Sequence, residues 1–108
     1  MRLRRKPWVD TAIHDFDAFV YPKDRPATGA ERGRWNEIFG RQAPLYVELG
    51  TGKGDFISRI AAQESEKNFI GIELQQDVLY KAAVKVAAAE LSNVRLLVFD
   101  VQALEQIF

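Results

Sequence analysis

The sequence predicts an α/β fold built on a doubly wound parallel sheet. Three short apolar segments of strand character alternate with two amphipathic segments of helical period, the pattern of consecutive βαβ units. The first strand runs directly into a turn with glycine at every second position, as in folds that hold nucleotide-like ligands. We expect the first half of such a sheet, with its strands in the order 3-2-1.

The first predicted strand covers residues 45–49, and Gly50, Gly52 and Gly54 follow it. Glycine permits backbone angles that other residues avoid, and it lets a ligand approach the main chain without meeting a Cβ atom. A dinucleotide fingerprint spaces its glycines G-x-G-x-x-G, and a phosphate loop reads G-x-x-x-x-G-K-[ST]. The turn has neither spacing, because Lys53 lies inside the glycine repeat.

A carboxylate beside the turn narrows the choice of ligand. Glu48 lies near the end of the first strand, where it would repel a pyrophosphate and attract a cation. S-adenosylmethionine carries a sulfonium and an ammonium group and has no phosphate, so the turn favours this cofactor. A glycine-rich connection without a ligand is the alternative, since short glycine motifs also occur by chance.

Two more strands are predicted to end in acids. Helices are expected at about 54–63 and 75–91, and strands at 68–72 and 94–99, followed by Glu73 and Asp100. Ligands of open α/β folds bind outside the carboxyl ends of the strands. Glu73 is placed to accept hydrogen bonds from ribose hydroxyls, and Asp100 to reach the adenine amino group. Each acid alone fits a turn, whereas three together indicate a site.

The N-terminal part differs in charge from the rest. Residues 1–41 hold nine Lys and Arg against six Asp and Glu, whereas residues 42–108 hold six against nine. A basic cluster of Arg2, Arg4, Arg5 and Lys6 opens the chain, which suggests a polyanionic partner, although a solvated terminus explains it equally well. We therefore divide the chain into an arm at 1–43 and a cofactor-binding βαβαβ half-domain at 44–108.

Within the arm, residues 20–30 are predicted to form a loop and residues 31–39 a helix that packs Trp35 onto the half-domain. The single histidine, His14, is expected to be a solvated helix residue and not a metal ligand. The absence of cysteine excludes disulfides and thiolate metal sites. Without an apolar leader or a membrane-length run, we expect a soluble protein that is not exported.

Five longer segments of the sequence make the prediction of function more specific. They are MRLRRKPW at 1–8, WNEIFG at 35–40, ELGTGKG at 48–54 with Phe56 and Ile57, IGIEL at 70–74, and NVRLL at 93–97 before Asp100. Together they resemble the bacterial tRNA (guanine-N7)-methyltransferases over nearly the whole chain. The glycine motif marks only the S-adenosylmethionine class, whereas the first and last stretches are specific to this family.

The resemblance implies a Rossmann-like methyltransferase that uses S-adenosylmethionine to methylate N7 of a guanosine in the tRNA variable loop, in the cytoplasm. The residues themselves offer no membrane-length run and no cluster of metal ligands, so we expect no membrane and no metal. Cofactor binding would involve the following residues: Glu48, Gly50, Thr51, Gly52, Glu73 and Asp100. Another methyltransferase sharing this half, and a non-catalytic nucleotide-binding module, are the alternatives.

The sequence departs from the family by ending early. Family members continue into a segment of the form N-F-S-D-P-W-P-K-K-R-H, whose aspartate belongs to the active site. No such segment follows Phe108, so we expect no catalytic residue in this chain and no activity from it alone. Its first strand would form an apolar sheet edge, to be covered by the C-terminal half of the enzyme or by a second copy.

Overall fold

A computed structural model describes residues 6–108 as a parallel sheet with helices on both faces. Its four strands are β1 (Val20–Tyr21), β2 (Leu45–Leu49), β3 (Asn68–Glu73) and β4 (Val94–Val98). Their order is β1-β4-β3-β2, and every neighbouring pair is parallel. Three of the four predicted tRNA-binding residues, Arg2, Arg4 and Arg5, lie outside the described residues.

The helices connect the strands as the predicted βαβ units require. They are α1 (Val9–Ala12), α2 (Trp35–Phe39), α3 (Asp55–Gln63) and α4 (Gln76–Ala88), with 3-10 turns at Ile13–Phe16, Gly29–Glu31 and Val101–Gln106. The elements from β2 to β4 appear in the predicted sequence, and β3 is buried along nearly its whole length, as a strand covered on both faces should be. These features confirm the predicted α/β class.

The predicted strand order 3-2-1 is incomplete. It describes β4-β3-β2 correctly, but residues 20 and 21, predicted as loop, form a fourth strand beside β4. Val20 pairs with Leu96 and Tyr21 with Leu97. A two-residue strand leaves no periodic pattern in the sequence, and the neighbouring edge of β4 supplies the hydrogen bonds that define it. The predicted helix at 31–39 is also shorter, because Gly33 has a φ of +74° and α2 begins only at Trp35.

A hydrophobic cluster lies on each face of the sheet. One contains Ile57 of α3 and Leu79 of α4, with Val94 and Leu96 of β4. The other lies under α2 and contains the residues Ala27, Trp35, Ile70, Ile72, Leu97 and Ile107. Successive strand residues alternate between these clusters, so the sheet separates α3 and α4 from α2.

Trp35 attaches the arm to the second cluster. Its indole Nε1–H donates a hydrogen bond of 2.8 Å to the carbonyl oxygen of Ile107, 72 residues away, and its ring packs on Tyr21 and Phe108. The side chain is only 5% exposed. Among residues 6–108, no helix is long and apolar enough to cross a membrane.

His14 joins the end of its 3-10 turn to the loop after β1. Its Nδ1 lies 2.9 Å from Asp17 Oδ1, and its Nε2 lies 2.9 Å from Asp24 Oδ2. The hydrogen bonds to Asp24 and Asp17 hold the pKa of His14 above its ordinary value of 6.5. This link could not be predicted from the sequence, because Asp24 lies ten residues away in a turn-rich segment.

Replacing His14 with alanine should therefore destabilise the protein more in mild acid than in base. A raised folded-state pKa contributes stability that is fully present below the unfolded pKa of 6.5 and is lost as pH rises through the folded pKa. Urea unfolding at about pH 5.5 and about pH 9 measures this difference. A wild-type-minus-variant difference that is the same at both pH values would contradict the prediction.

Candidate functional site

The predicted site residues meet at one edge of the sheet. Since β2, β3 and β4 are parallel, their carboxyl ends lie together, with Leu49 opposite Ile72 and Ile72 opposite Leu97. Glu48 lies just before the end of β2, and Glu73 is the last residue of β3. This is the edge at which open α/β sheets bind their ligands.

The glycine turn folds over the end of β3. Gly50 and Gly52 have φ values of +70° and +57°, a left-handed conformation that favours glycine. Between them, the Thr51 amide donates a hydrogen bond of 2.8 Å to the Ile72 carbonyl oxygen. The turn is thereby fixed to the neighbouring strand, with main chain and no Cβ at positions 50 and 52.

The third glycine of the repeat has a different role. Gly54 has a φ of +83°, and a Cβ atom added there would lie 2.6 Å from the Cβ of Ala82. Gly54 immediately precedes α3, and Ala82 lies in the middle of α4. The glycine therefore lets α3 begin in close contact with α4.

Glu48 and Thr51 form a polar pair beneath the turn. The Thr51 hydroxyl donates a hydrogen bond to Glu48 Oε1, and the Thr51 side chain is buried. Glu48 is half-buried at the exposed edge of β2. The pair holds a carboxylate in place next to the glycines, where it can attract a cationic group.

Glu73 connects the turn to the next helix. One carboxylate oxygen accepts a hydrogen bond of 3.1 Å from the Gly52 amide, and the other accepts one of 3.1 Å from the Gln75 amide. A carboxylate has about four lone-pair positions, so these two bonds orient the group and leave acceptor capacity for a ligand. Glu73 therefore presents a fixed pair of acceptors at the site.

Asp100 lies beside Glu73. The Phe99 amide donates to the Glu73 carbonyl oxygen at 3.4 Å, which continues the register between β3 and β4 beyond Val98. The Asp100 carboxylate caps the following 3-10 turn, where Oδ1 accepts a hydrogen bond of 2.9 Å from the Gln102 amide. The structure thus brings all six predicted cofactor-binding residues to one edge.

Three further residues of this edge were not predicted. A Cβ atom at Gly71 would lie 2.7 Å from Thr51 Oγ1 and 2.9 Å from Ile57 Cδ1, so the turn and α3 rest on a position without a side chain. The sequence feature that could have predicted its role is a glycine inside a strand. Leu74 and Val101 follow Glu73 and Asp100, and they are 66% and 45% exposed. The sequence feature that could have predicted them is an apolar residue directly after each acid.

Two solved methyltransferases share this fold. An antibiotic-related methyltransferase matches with a TM-score of 0.57 and 26% identity, over 64% of this chain and 36% of its own. An RNA methyltransferase from Salinibacter ruber, in complex with S-adenosyl-L-homocysteine, matches in fold with a TM-score of 0.51 and 19% identity, over 94% of this chain and 52% of its own. The fold and the arrangement of this edge define a Rossmann-like methyltransferase.

The chain belongs to the methyltransferase family Methyltransf_4, whose profile matches residues 42–108. It is similar to the tRNA (guanine-N(7)-)-methyltransferases of Geobacillus thermodenitrificans, at 44% identity, and Halalkalibacterium halodurans, at 46%, each over 100% of this chain. The Bacillus subtilis protein of the same name is 41% identical over 100% of this chain. The chain spans 47–49% of the length of these relatives.

Replacing Gly71 with alanine should destabilise the protein by about 1–3 kcal/mol, because the new methyl group would overlap Thr51 and Ile57. Urea unfolding measures this change. Gly29→Ala is the matched control, since its Cβ would meet its nearest atom at an ordinary 3.8 Å. Equal stability of the two variants would show that Gly71 does not support the turn.

Proposed function

We propose that this chain binds S-adenosylmethionine and, within the complete protein, serves the methylation of guanosine N7 in tRNA. The observation that carries the proposal is the bond from the Gly52 amide to Glu73, because it joins the glycine turn and a strand-end carboxylate in one site. Similarity to tRNA (guanine-N(7)-)-methyltransferases over 100% of this chain supports the choice of substrate.

Each chemical group of the cofactor would have its own binding residues at this edge. Gly50, Thr51 and Gly52 would hold its amino-acid end against the main chain, where no Cβ intervenes at the glycines. Glu73 would accept hydrogen bonds from the ribose hydroxyls with the lone pairs that Gly52 and Gln75 do not use.

The adenine ring fits the outer part of the same edge. Leu74 and Val101 offer exposed apolar surface on which a flat ring can pack, and burial of that surface stabilises the complex. Asp100, adjacent to Val101, would accept a hydrogen bond from the adenine amino group.

Glu48 supplies the electrostatic preference for this cofactor. When bound, S-adenosylmethionine supplies an electrophilic methyl group on a positively charged sulfur. The Glu48 carboxylate, held by Thr51, attracts positive charge and repels the phosphates of a dinucleotide. The site therefore discriminates between the two cofactor classes by charge.

The proposed reaction requires orientation more than proton transfer. Guanine N7 has an available lone pair, so no base has to remove a proton before it reacts. Catalysis then depends on alignment of the reacting groups and on acids that stabilise the charge passing to the base. This chain would contribute the cofactor half of that alignment, and we place the catalytic residues of the complete protein outside it.

We propose that the arm at 1–43 contacts tRNA through the basic cluster at its start and that residues 44–108 hold the cofactor, in the cytoplasm. The cluster of Arg2, Arg4, Arg5 and Lys6 would bind phosphates, which carry no base sequence information. Such contacts release counterions, so the affinity they provide falls as salt concentration rises.

We also propose that further polypeptide covers the edge of β2. Leu49 is 55% exposed and Tyr46 is 48% exposed. With Phe56, Ile60 and Phe69, Tyr46 lines an apolar groove of about 350 Å³ beside this edge. A C-terminal half like that of the longer relatives would cover it, and a second copy is the alternative.

Replacing Glu73 with alanine in the complete protein should weaken S-adenosylmethionine binding by about 1.5–3 kcal/mol, roughly 10- to 150-fold in Kd. The variant loses the ribose acceptors and leaves the Gly52 and Gln75 amides without their partner. Calorimetry measures the affinity, and mass spectrometry of digested tRNA detects N7-methylguanosine.

Glu66→Ala is the matched control for this experiment, because it removes an exposed acid located before β3, at the opposite end of that strand. It should bind the cofactor as the wild type does. Tight binding of NAD by the wild type without binding of S-adenosylmethionine would overturn the cofactor assignment. Cofactor binding without methylation of tRNA by the complete protein would overturn the substrate alone.

The 108-residue chain by itself should self-associate and should not methylate tRNA. Sedimentation velocity over a range of concentrations measures the association. Leu49→Lys should reduce it, because a charge on an exposed strand edge opposes pairing with another strand. A monodisperse wild-type chain at high concentration would contradict the proposal for the β2 edge. A methylated tRNA product would contradict the placement of the catalytic residues outside this chain.

A further inference from the structure

Four lysines from three parts of the chain gather along α4. Lys6 belongs to the arm, Lys53 to the glycine turn, and Lys81 and Lys85 to α4 itself. The sequence predicts only that Lys81 and Lys85 lie on one helix face, and it does not place Lys6 or Lys53 beside them. Their proximity results from the way the arm and the turn pack on the helix.

The arm reaches the first turn of α4 through its main chain. The Lys6 amide donates a hydrogen bond of 2.7 Å to Asp77 Oδ2. Lys81 follows Asp77 by four residues, and Lys85 follows by four more, so the three lie along one face of the helix. Lys6 is thus held at the end of a row that Lys81 and Lys85 continue.

The glycine turn lies against the same helix. Close contact between Gly54 and Ala82 brings Lys53 next to α4. Lys85 forms an ion pair with Asp55, which follows the turn, and this bond holds the pKa of Asp55 below its ordinary value. Within residues 6–108, Lys53 and Lys81 form no ion pair, and both are exposed.

The lysines are close enough to interact electrostatically. Repulsion from Lys6, and then from Lys53, holds the pKa of Lys81 below its ordinary value, with smaller contributions from desolvation and from Lys85. Lys81 and Lys85 are also four residues apart on α4, a spacing at which like charges cost stability. A polyanion bound across these lysines would relieve the repulsion between them. A polyanion is therefore the partner whose charge complements this surface.

We propose that Lys6, Lys53 and Lys81 form a surface that binds the phosphate backbone of tRNA beside the cofactor site. The proposal rests on the proposed function and names the residues that hold its substrate. Lys53 directly follows Gly52 of the cofactor site, so a strand bound here passes next to the methyl donor. Lysine binds phosphate as a point charge, and the contact is therefore independent of base sequence.

The test measures tRNA affinity of the complete protein as a function of salt concentration. Lys81→Ala and the Lys53→Ala/Lys81→Ala double variant should bind a tRNA transcript more weakly. The slope of log affinity against log salt should become shallower by ~0.7–0.9 for each phosphate contact removed. Lys81→Arg, which retains the charge, should keep the wild-type slope. A triple alanine variant at Arg2, Arg4 and Arg5 measures the arm separately.

Arg34→Ala is the control for net charge. Arg34 is exposed and precedes α2, which packs on the opposite face of the sheet from α4. It should retain the wild-type affinity and slope. Lys81→Ala should also retain its affinity for S-adenosylmethionine, which establishes that the variant is folded.

Two outcomes would overturn the lysine surface. One is a double variant with wild-type affinity and slope, and the other is an equal loss in Arg34→Ala, which would indicate a general effect of charge. Failure of the proposed function is distinguishable, because the wild type would then form no N7-methylguanosine. A wild type that methylates tRNA beside an unaffected double variant removes the lysine surface and leaves the function intact.

Discussion

The site depends on the position of one carboxylate. Glu73 ends β3, accepts a hydrogen bond from Gly52 in the turn before α3, and accepts another from Gln75 at the start of α4. Three elements that meet at this edge are therefore fixed to one another by a single side chain. Because both bonds use main-chain donors, they keep the turn in place whatever side chains surround it.

At the same edge, residues that the packing of the fold requires lie next to residues that leave room for a ligand. Thr51 fits beneath the turn only because Gly71 has no side chain, and the packing of α3 on α4 depends similarly on Gly54. Substituents at these two positions would meet protein atoms within 3 Å, whereas nothing lies within 4 Å of a Cβ at Gly50. Two glycines therefore serve the fold, and Gly50 leaves space for a ligand.

Features that depend on local sequence patterns could be predicted, whereas features that depend on contacts between distant segments could not. The elements from β2 to β4 were predicted because apolar periodicity is a local signal, and parallel connections then place Glu48, Glu73 and Asp100 at one edge. The strand at residues 20 and 21 was missed because pairing with β4 creates it. The contact of Gly71 with Thr51 and the grouping of Lys6 with Lys81 also arise between distant segments.

The hydrogen bond between Trp35 and Ile107 means that the segment around Trp35 can complete its packing only late in synthesis. The indole N–H finds its acceptor 72 residues further along the chain, so the arm emerges from the ribosome long before its binding place exists. Until Ile107 has followed, the Trp35 ring and the buried side of α2 remain in water or in temporary contacts. A chain interrupted before this residue keeps a large aromatic surface exposed, which is the kind of surface that chaperones and proteases recognise.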